Sequence, residues 1–184
     1  NIGLSYRDID KQMEYYQRAL NIGNKIDDKV GTAGCLSNLA RINRKKGNYD
    51  IALNYYNQSL MIYNELDDKL QAISILIVLA YFDTNILKTG ETLNYLEKAL
   101  KLSEEIGDKN GIASCYNDIG VVYYKQGKYN KALNLFDQCL QIQNEIKNKG
   151  IMSSSYHNIG TIYHEQGNYE KAIEYYNKSL AIKE

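Results

Sequence analysis

Proline is absent from all 184 residues, and so is tryptophan. Without proline, no segment is barred from helix by a fixed φ or a missing amide donor. Phenylalanine occurs only twice, against 18 tyrosines. Tyrosine suits half-buried helix faces, because its ring packs while its hydroxyl reaches water. Net charge is missing as well, with 22 basic and 22 acidic residues. A nucleic-acid partner is not expected, because phosphate binding calls for a basic surplus. Cysteine is scarce: Cys35, Cys115 and Cys139 are odd in number and form no CxxC spacing. They read as reduced, buried packing residues of a cytoplasmic protein. Long apolar runs are lacking too. The longest, Ile73 to Phe82, is interrupted by Ser74 and is about half of what a bilayer span needs. It reads as a buried helix, with no membrane partner, and no signal peptide is visible at the start. What is present is a 44% hydrophobic content, too high for an acid-rich disordered chain.

That content recurs with a period. Asp28-Lys29, Asp68-Lys69, Asp108-Lys109 and Asn148-Lys149 are spaced 40 residues apart. Gly47-Asn48-Tyr49, Gly127-Lys128-Tyr129 and Gly167-Asn168-Tyr169 keep the same register. Each unit holds two helical stripes. Tyr116, Ile119, Gly120 and Tyr123 recur at i, i+3, i+4 and i+7, which places them on one helix face. Tyr129, Ala132, Leu133, Phe136, Cys139 and Leu140 form the second stripe. Gly47, Gly127 and Gly167 end the first helices, since glycine tolerates the left-handed conformation there. Asp28, Asp68, Asp108 and Asn148 are expected to cap the helices that follow. Gly120, Gly160, Ala40 and Ala80 share one site, where a small residue admits a large one (Phe136, Tyr56, Tyr176) from the paired helix. One such pair cannot bury its stripes alone, so neighbouring pairs must stack.

The run Tyr116, Ile119, Gly120, Tyr123, Gly127, Tyr129, Ala132, Phe136, Cys139 resembles the tetratricopeptide repeat signature. Tyr156, Ile159, Gly160, Tyr163, Gly167, Tyr169, Ala172, Tyr176 and Ser179 repeat it, and Leu36 to Ser59 carry a third copy. The usual unit is 34 residues and ends in proline. The 40-residue period and the lack of proline predict longer helices, near 17 residues or about 25 Å each. This longer variety is similar to repeats of Pins-type cell-polarity adaptors, kinesin light chains and bacterial peptide-sensing regulators. The resemblance implies an all-α, right-handed superhelical solenoid of about nine helices, a single array over 1–184. Residues 1–29 would hold only a second helix, roughly Asp8 to Ile26. Full units would span 30–69, 70–109 and 110–149, with a slightly short one at 150–184. The unit at 70–109 is degenerate, with Asp83, Leu87 and Thr92 at signature sites, and predicts an irregular turn over Leu87 to Glu91. Starting mid-repeat, without polar caps, the chain reads as an excerpt of a longer protein, or one whose open ends self-associate.

In this family, first helices line a concave groove, so the resemblance places a partner there. Off-stripe positions would line it. These are Ser37, Asn38, Arg41, Arg44 and Lys45, then Ile77, Val78, Tyr81, Thr84 and Asn85. The later units supply Asn117, Asp118, Val121, Tyr124 and Lys125, and then His157, Asn158, Thr161, His164 and Glu165. Asn38, Val78, Asp118 and Asn158 are equivalent. An asparagine there holds an extended peptide backbone in several relatives, because an amide both donates and accepts. That role transfers only to Asn38 and Asn158. Units stacked about 10 Å apart would pass about three residues of a strand rising ~3.3 Å each. Arg41, Arg44, Lys45 and Lys46 form a basic cluster suited to acidic groups or to a helix C-terminus. Ile77, Val78 and Tyr81 read as an apolar contact patch.

Catalytic signals are lacking. Neither GxGxxG nor GxxxxGK[ST] occurs. His157 and His164 lie two turns apart, about 10.5 Å of rise, which is wide for one metal, so no cofactor is expected. The leading expectation is a scaffold for a protein or for an extended or helical peptide. The alternatives are a sensory segment of a larger signalling protein, such as a kinase, cyclase or transcription regulator, and a structural spacer or oligomerisation module.

Overall fold

The computed structural model describes residues 2–82 and 89–183, with side chains from 8–82 and 90–182. Nine helices, and no strand, occur among the described residues. They are α1 (Ile2–Lys25), α2 (Lys29–Lys45), α3 (Tyr49–Glu65), α4 (Lys69–Ala80), α5 (Thr89–Glu105), α6 (Lys109–Lys125), α7 (Tyr129–Glu145), α8 (Met152–Glu165) and α9 (Tyr169–Lys183). Residue packing groups them into two compact units, Asn1–Phe82 with α1 to α4 and Asp83–Glu184 with α5 to α9.

Helices α2, α3, α5, α6 and α7 are each 17 residues long, as the long repeat period requires. α4 is shorter, 12 residues, so Tyr81 follows the helix instead of lying on it. Thr84, Asn85 and Leu87 lie outside the described residues. Gly90 and Glu91, expected in an irregular turn, are instead within α5. α1 begins at Ile2, earlier than the expected Asp8.

The stops are those the glycines announced. Gly47, Gly127 and Gly167 sit at φ +78°, +71° and +76°, where a Cβ would be strained. The starts follow the rule less uniformly. Asp28 Oδ1 accepts from the Gly31 amide at 2.9 Å and Asp68 Oδ1 from the Gln71 amide at 3.1 Å. Asp108 makes no such bond. Asn148 accepts from Gly150 at 2.9 Å, but α8 starts only at Met152, so Asn148 shapes the turn instead of capping the helix.

Inside the first unit, Leu20, Leu36 and Leu39 pack with Met13, Tyr16, Cys35, Tyr55 and Ile62. Phe82 is completely buried, and Tyr49 and Tyr56 meet its ring edge-on at 6.2 and 6.0 Å. Ser59 is buried and donates to the Ala33 carbonyl at 2.9 Å. Cys35 is only half-buried, unlike Cys115 and Cys139, and all three thiols are free.

Inside the second unit, Ala132, Phe136, Leu140, Met152, Ile159 and Ile162 form one cluster. The small-against-large reading holds here at atomic level. A Cβ on Gly120 would come within 2.7 Å of the Phe136 ring, and one on Gly160 within 2.8 Å of Tyr176. The absent methyls are what let α6 meet α7, and α8 meet α9, so closely.

Candidate first-helix recognition faces

The first unit presents α2 and α4. Asn38 is half-buried, and its amide is engaged within its own helix: Nδ2 donates to the Gly34 carbonyl at 2.9 Å, and Oδ1 accepts from Arg41 at 3.0 Å. Ser37, expected on the open face, shares a 2.7 Å hydrogen bond with Ser59 and so belongs to the α2–α3 contact. Arg41, Arg44 and Lys45 are exposed. Lys46 departs from that cluster and pairs with Asp10 of α1 at 2.7 Å. Burial pushes the Tyr56 phenol up, and the nearby Arg44 and Arg41 partly offset it. Ile77 and Val78 are half-buried, so the apolar patch is less open than the sequence suggested, while Tyr81 is 55% exposed.

The second unit presents α6 and α8, and here side chains reach between helices. Asn117 Oδ1 on α6 accepts from Ser155 Oγ at 3.1 Å and from Asn158 Nδ2 at 3.4 Å, both on α8. Asn117 Nδ2 donates to Asp118 at 3.3 Å. Three of the candidate residues thus form one cross-helix network. Ser155 Oγ also lies 3.3 Å from the buried Cys139 sulfur. Burial first, then the Asp118 charge, raises the Cys115 thiol to about 12. That thiol stays protonated and non-nucleophilic at ordinary pH.

Further along the same face, Val121 and Thr161 are half-buried. Thr161 Oγ1 donates to the His157 carbonyl at 3.0 Å and accepts from the Tyr176 hydroxyl at 3.3 Å. His157 lies 5.3 Å from the Tyr176 ring and His164 5.5 Å from Tyr169. The imidazoles therefore face separate aromatic partners.

At the ends of these helices, the hydroxyls of Tyr124 (α6) and Tyr129 (α7) each donate at 2.6 Å to Glu165 (α8), one to each carboxylate oxygen. Those bonds hold the Glu165 carboxyl below its usual range, with help from His164. The same bonds raise Tyr124 to about 12 and push Tyr129 up. Sequence reasoning placed Tyr124 and Glu165 on the open face but assigned Tyr129 only to packing, and did not connect the three. One signal was available: Glu165 stands where two of the three equivalent positions, Lys45 and Lys125, are basic and the third is Asn85.

The described helices repeat one hairpin, small residues at fixed positions seat large partners, and polar side chains populate the first-helix faces. That is the build of a helical-repeat binding protein. The family model "Tetratricopeptide repeat" matches residues 13–65, 72–145 and 119–184, and the chain belongs to the tetratricopeptide repeat family. Comparison with curated proteins gives no match. Among solved structures, the chain is similar to BtubC (BKLC) from P. vanneervenii, at TM-score 0.84 and 23% identity, over 98% of this chain and 75% of that one. It is similar to a Rap protein complexed with competence and sporulation factor, at TM-score 0.74 and 20% identity, covering 97% of this chain and half (50%) of that one. A kinesin light chain-like protein with nearly identical repeats, from Podospora anserina, matches at TM-score 0.74 and 16% identity, over 97% and 89%. At these identities the likeness is one of fold, the all-α solenoid of this family.

Proposed function

We propose that this chain is a protein-interaction scaffold whose first-helix faces hold a partner segment, and that it binds without doing chemistry on its partner. The observation that carries the reading is the Asn117–Asn158–Ser155 network. Amides that both donate and accept stand half-buried on the faces of adjacent helices, with Val121, Tyr124 and Thr161 beside them. A backbone amide of a partner offers the same donor and acceptor pair, and water competes poorly at half-buried sites. Exposed Arg41, Arg44 and Lys45 on α2 would supply a separate contact for acidic groups. Among the described residues no helix is long and apolar enough to cross a membrane.

Panning a display library of random dodecapeptides against the full chain tests the reading. The expected result is recurrent linear sequences, whose titration by calorimetry weakens severalfold with Asn158→Ala or Asn117→Ala. Failure to enrich any peptide overturns the peptide-binding form of the proposal.

A second reading is favoured by the likeness to the Rap protein complexed with competence and sporulation factor. On this reading the chain is the sensory part of a larger regulator, and ligand binding alters an attached output domain. Linked changes in the activity of that neighbouring domain would support it; ligand binding with no change there would exclude it.

A further inference from the structure

Glu165 differs from the other helix-closing glutamates in its partners. It is the last residue of α8, where aligned peptide dipoles favour a cation and disfavour a carboxylate. Two of the three repeat-equivalent positions, Lys45 and Lys125, carry the favoured cation and close α2 and α6, the third being Asn85, whereas Glu65, Glu105 and Glu145 close α3, α5 and α7. The carboxylate is nevertheless held firmly. Two phenols from two other helices bind its two oxygens, each at 2.6 Å. Its place at a helix end is shared; what sets Glu165 apart is that two neutral phenols, and not a lysine, hold its oxygens.

Among the described residues no lysine or arginine pairs with this carboxylate. Glu65 and Glu145, also exposed and near helix ends, are paired with Lys29 at 3.0 Å and Lys109 at 2.9 Å. Among the described residues no lysine or arginine lies within 4 Å of Glu165. Lys128, the N-cap of α7, and Lys131 in its first turn sit over the Tyr123 ring, 5.6 and 5.4 Å from its centre. The Tyr124 and Tyr129 rings lie 6.1 Å apart, inclined by 31°. They supply aromatic surface beside the fixed carboxylate, and each carboxylate oxygen keeps a lone pair after accepting one phenol proton.

We propose that Tyr124, Tyr129 and Glu165 form a receptor for one cationic side chain of the partner, an arginine or lysine. The carboxylate supplies the charge and the rings supply the cation–π surface. This inference rests on the scaffold reading above and adds to it a chemical preference: the segment over α6 and α8 carries a basic residue at the α8 C-terminal end. The two phenols orient the carboxylate in advance, so that binding need not freeze a mobile glutamate.

Two experiments on the full chain test it. In the first, N-acetyl-arginine amide is titrated into isotopically labelled protein and followed by NMR, with the neutral isostere N-acetyl-citrulline amide as the control. The expected result is shifts at Tyr124, Tyr129 and Glu165 that the arginine compound produces, citrulline does not, and Glu165→Gln abolishes. The glutamine amide still accepts a phenol proton, and an unchanged far-UV circular dichroism spectrum confirms the fold. Equal shifts with citrulline, or shifts that survive Glu165→Gln, overturn the proposal. In the second, the dodecapeptides selected above are compared for composition. Enrichment of arginine or lysine at one position, with affinity falling about three- to tenfold in Glu165→Gln, supports it. Peptides that bind through Asn158 but show no basic preference overturn this inference and leave the scaffold reading standing. Failure to enrich any peptide overturns the peptide-binding form of the scaffold reading.

Discussion

The α2 face and the α6–α8 face are built on the same repeat register, yet they spend their polar side chains differently. Asn38 turns its amide back on α2, to Gly34 and Arg41. Its equivalent, Asn158, reaches from α8 to Asn117 on α6. The partner within reach makes the difference: the Asn117 side-chain carbonyl of α6 lies beside Asn158, while Asn38 finds its partners within α2. The packing sites differ in the same way. Ala40 and the buried Tyr56 fill in the first unit the places that Gly120 and Phe136 fill in the second. Sequence equivalence thus fixes where a side chain starts, and the neighbouring helix fixes what it holds.

The largest expected effect tests the packing side of that contrast. Gly120→Ala drives a methyl into the fully buried Phe136 ring at 2.7 Å. Overpacking costs about 1–3 kcal/mol, and the better helix propensity of alanine returns up to about 1 kcal/mol. A net loss of about 1–2 kcal/mol, and a thermal midpoint lower by several degrees, is expected by circular dichroism. Gly160→Ala should cost less, because Tyr176 is only half-buried and can shift. Equal losses at the two sites would show that ring mobility does not decide the outcome.

Next comes the network. Asn117→Ala removes the acceptor shared by Ser155 and Asn158, and a destabilisation of about 1 kcal/mol is expected in denaturant unfolding. Asn38→Ala breaks bonds within one helix and replaces asparagine with a better helix former, so it should be near neutral. Matching losses would mean that the cross-helix bonds add nothing.

The smallest effect is electrostatic. Glu165 has its folded pKa lowered from 4.5, so its contribution to stability is fully present above that value. It is lost as pH falls through the folded pKa. Tyr124, raised from 10.0 to about 12, contributes below 10 and loses that contribution as pH rises toward about 12. Tyr124→Phe with Tyr129→Phe should bring the Glu165 titration, followed by NMR, back toward 4.5. Glu165→Gln should remove the late-titrating phenol from the absorbance curve. No movement in either titration would dissociate the three residues in solution.

Much of this was legible before any coordinates. The 40-residue period, the glycines at 47, 127 and 167, and the small sites at Gly120 and Gly160 follow from local rules of helix stopping and close packing. Those rules act within one hairpin, which a sequence spells out in order. The exceptions were equally physical. Asn148 lost its cap because α8 starts later, and Ser37 turned to Ser59 instead of the open face. The candidate face was legible as a set of positions but not as a set of bonds.

By itself, the sequence determined the helical class, the hairpin repeat and the family, because periodic side chains carry the stripe that each helix must bury. Tertiary structure alone decided which polar groups meet. Asn117 finds Ser155 and Asn158, and Glu165 finds Tyr124 and Tyr129, across roughly forty residues of chain. A hydrogen bond tolerates only a few tenths of an ångström, and that precision comes from how two helices seat against each other, which no periodicity specifies.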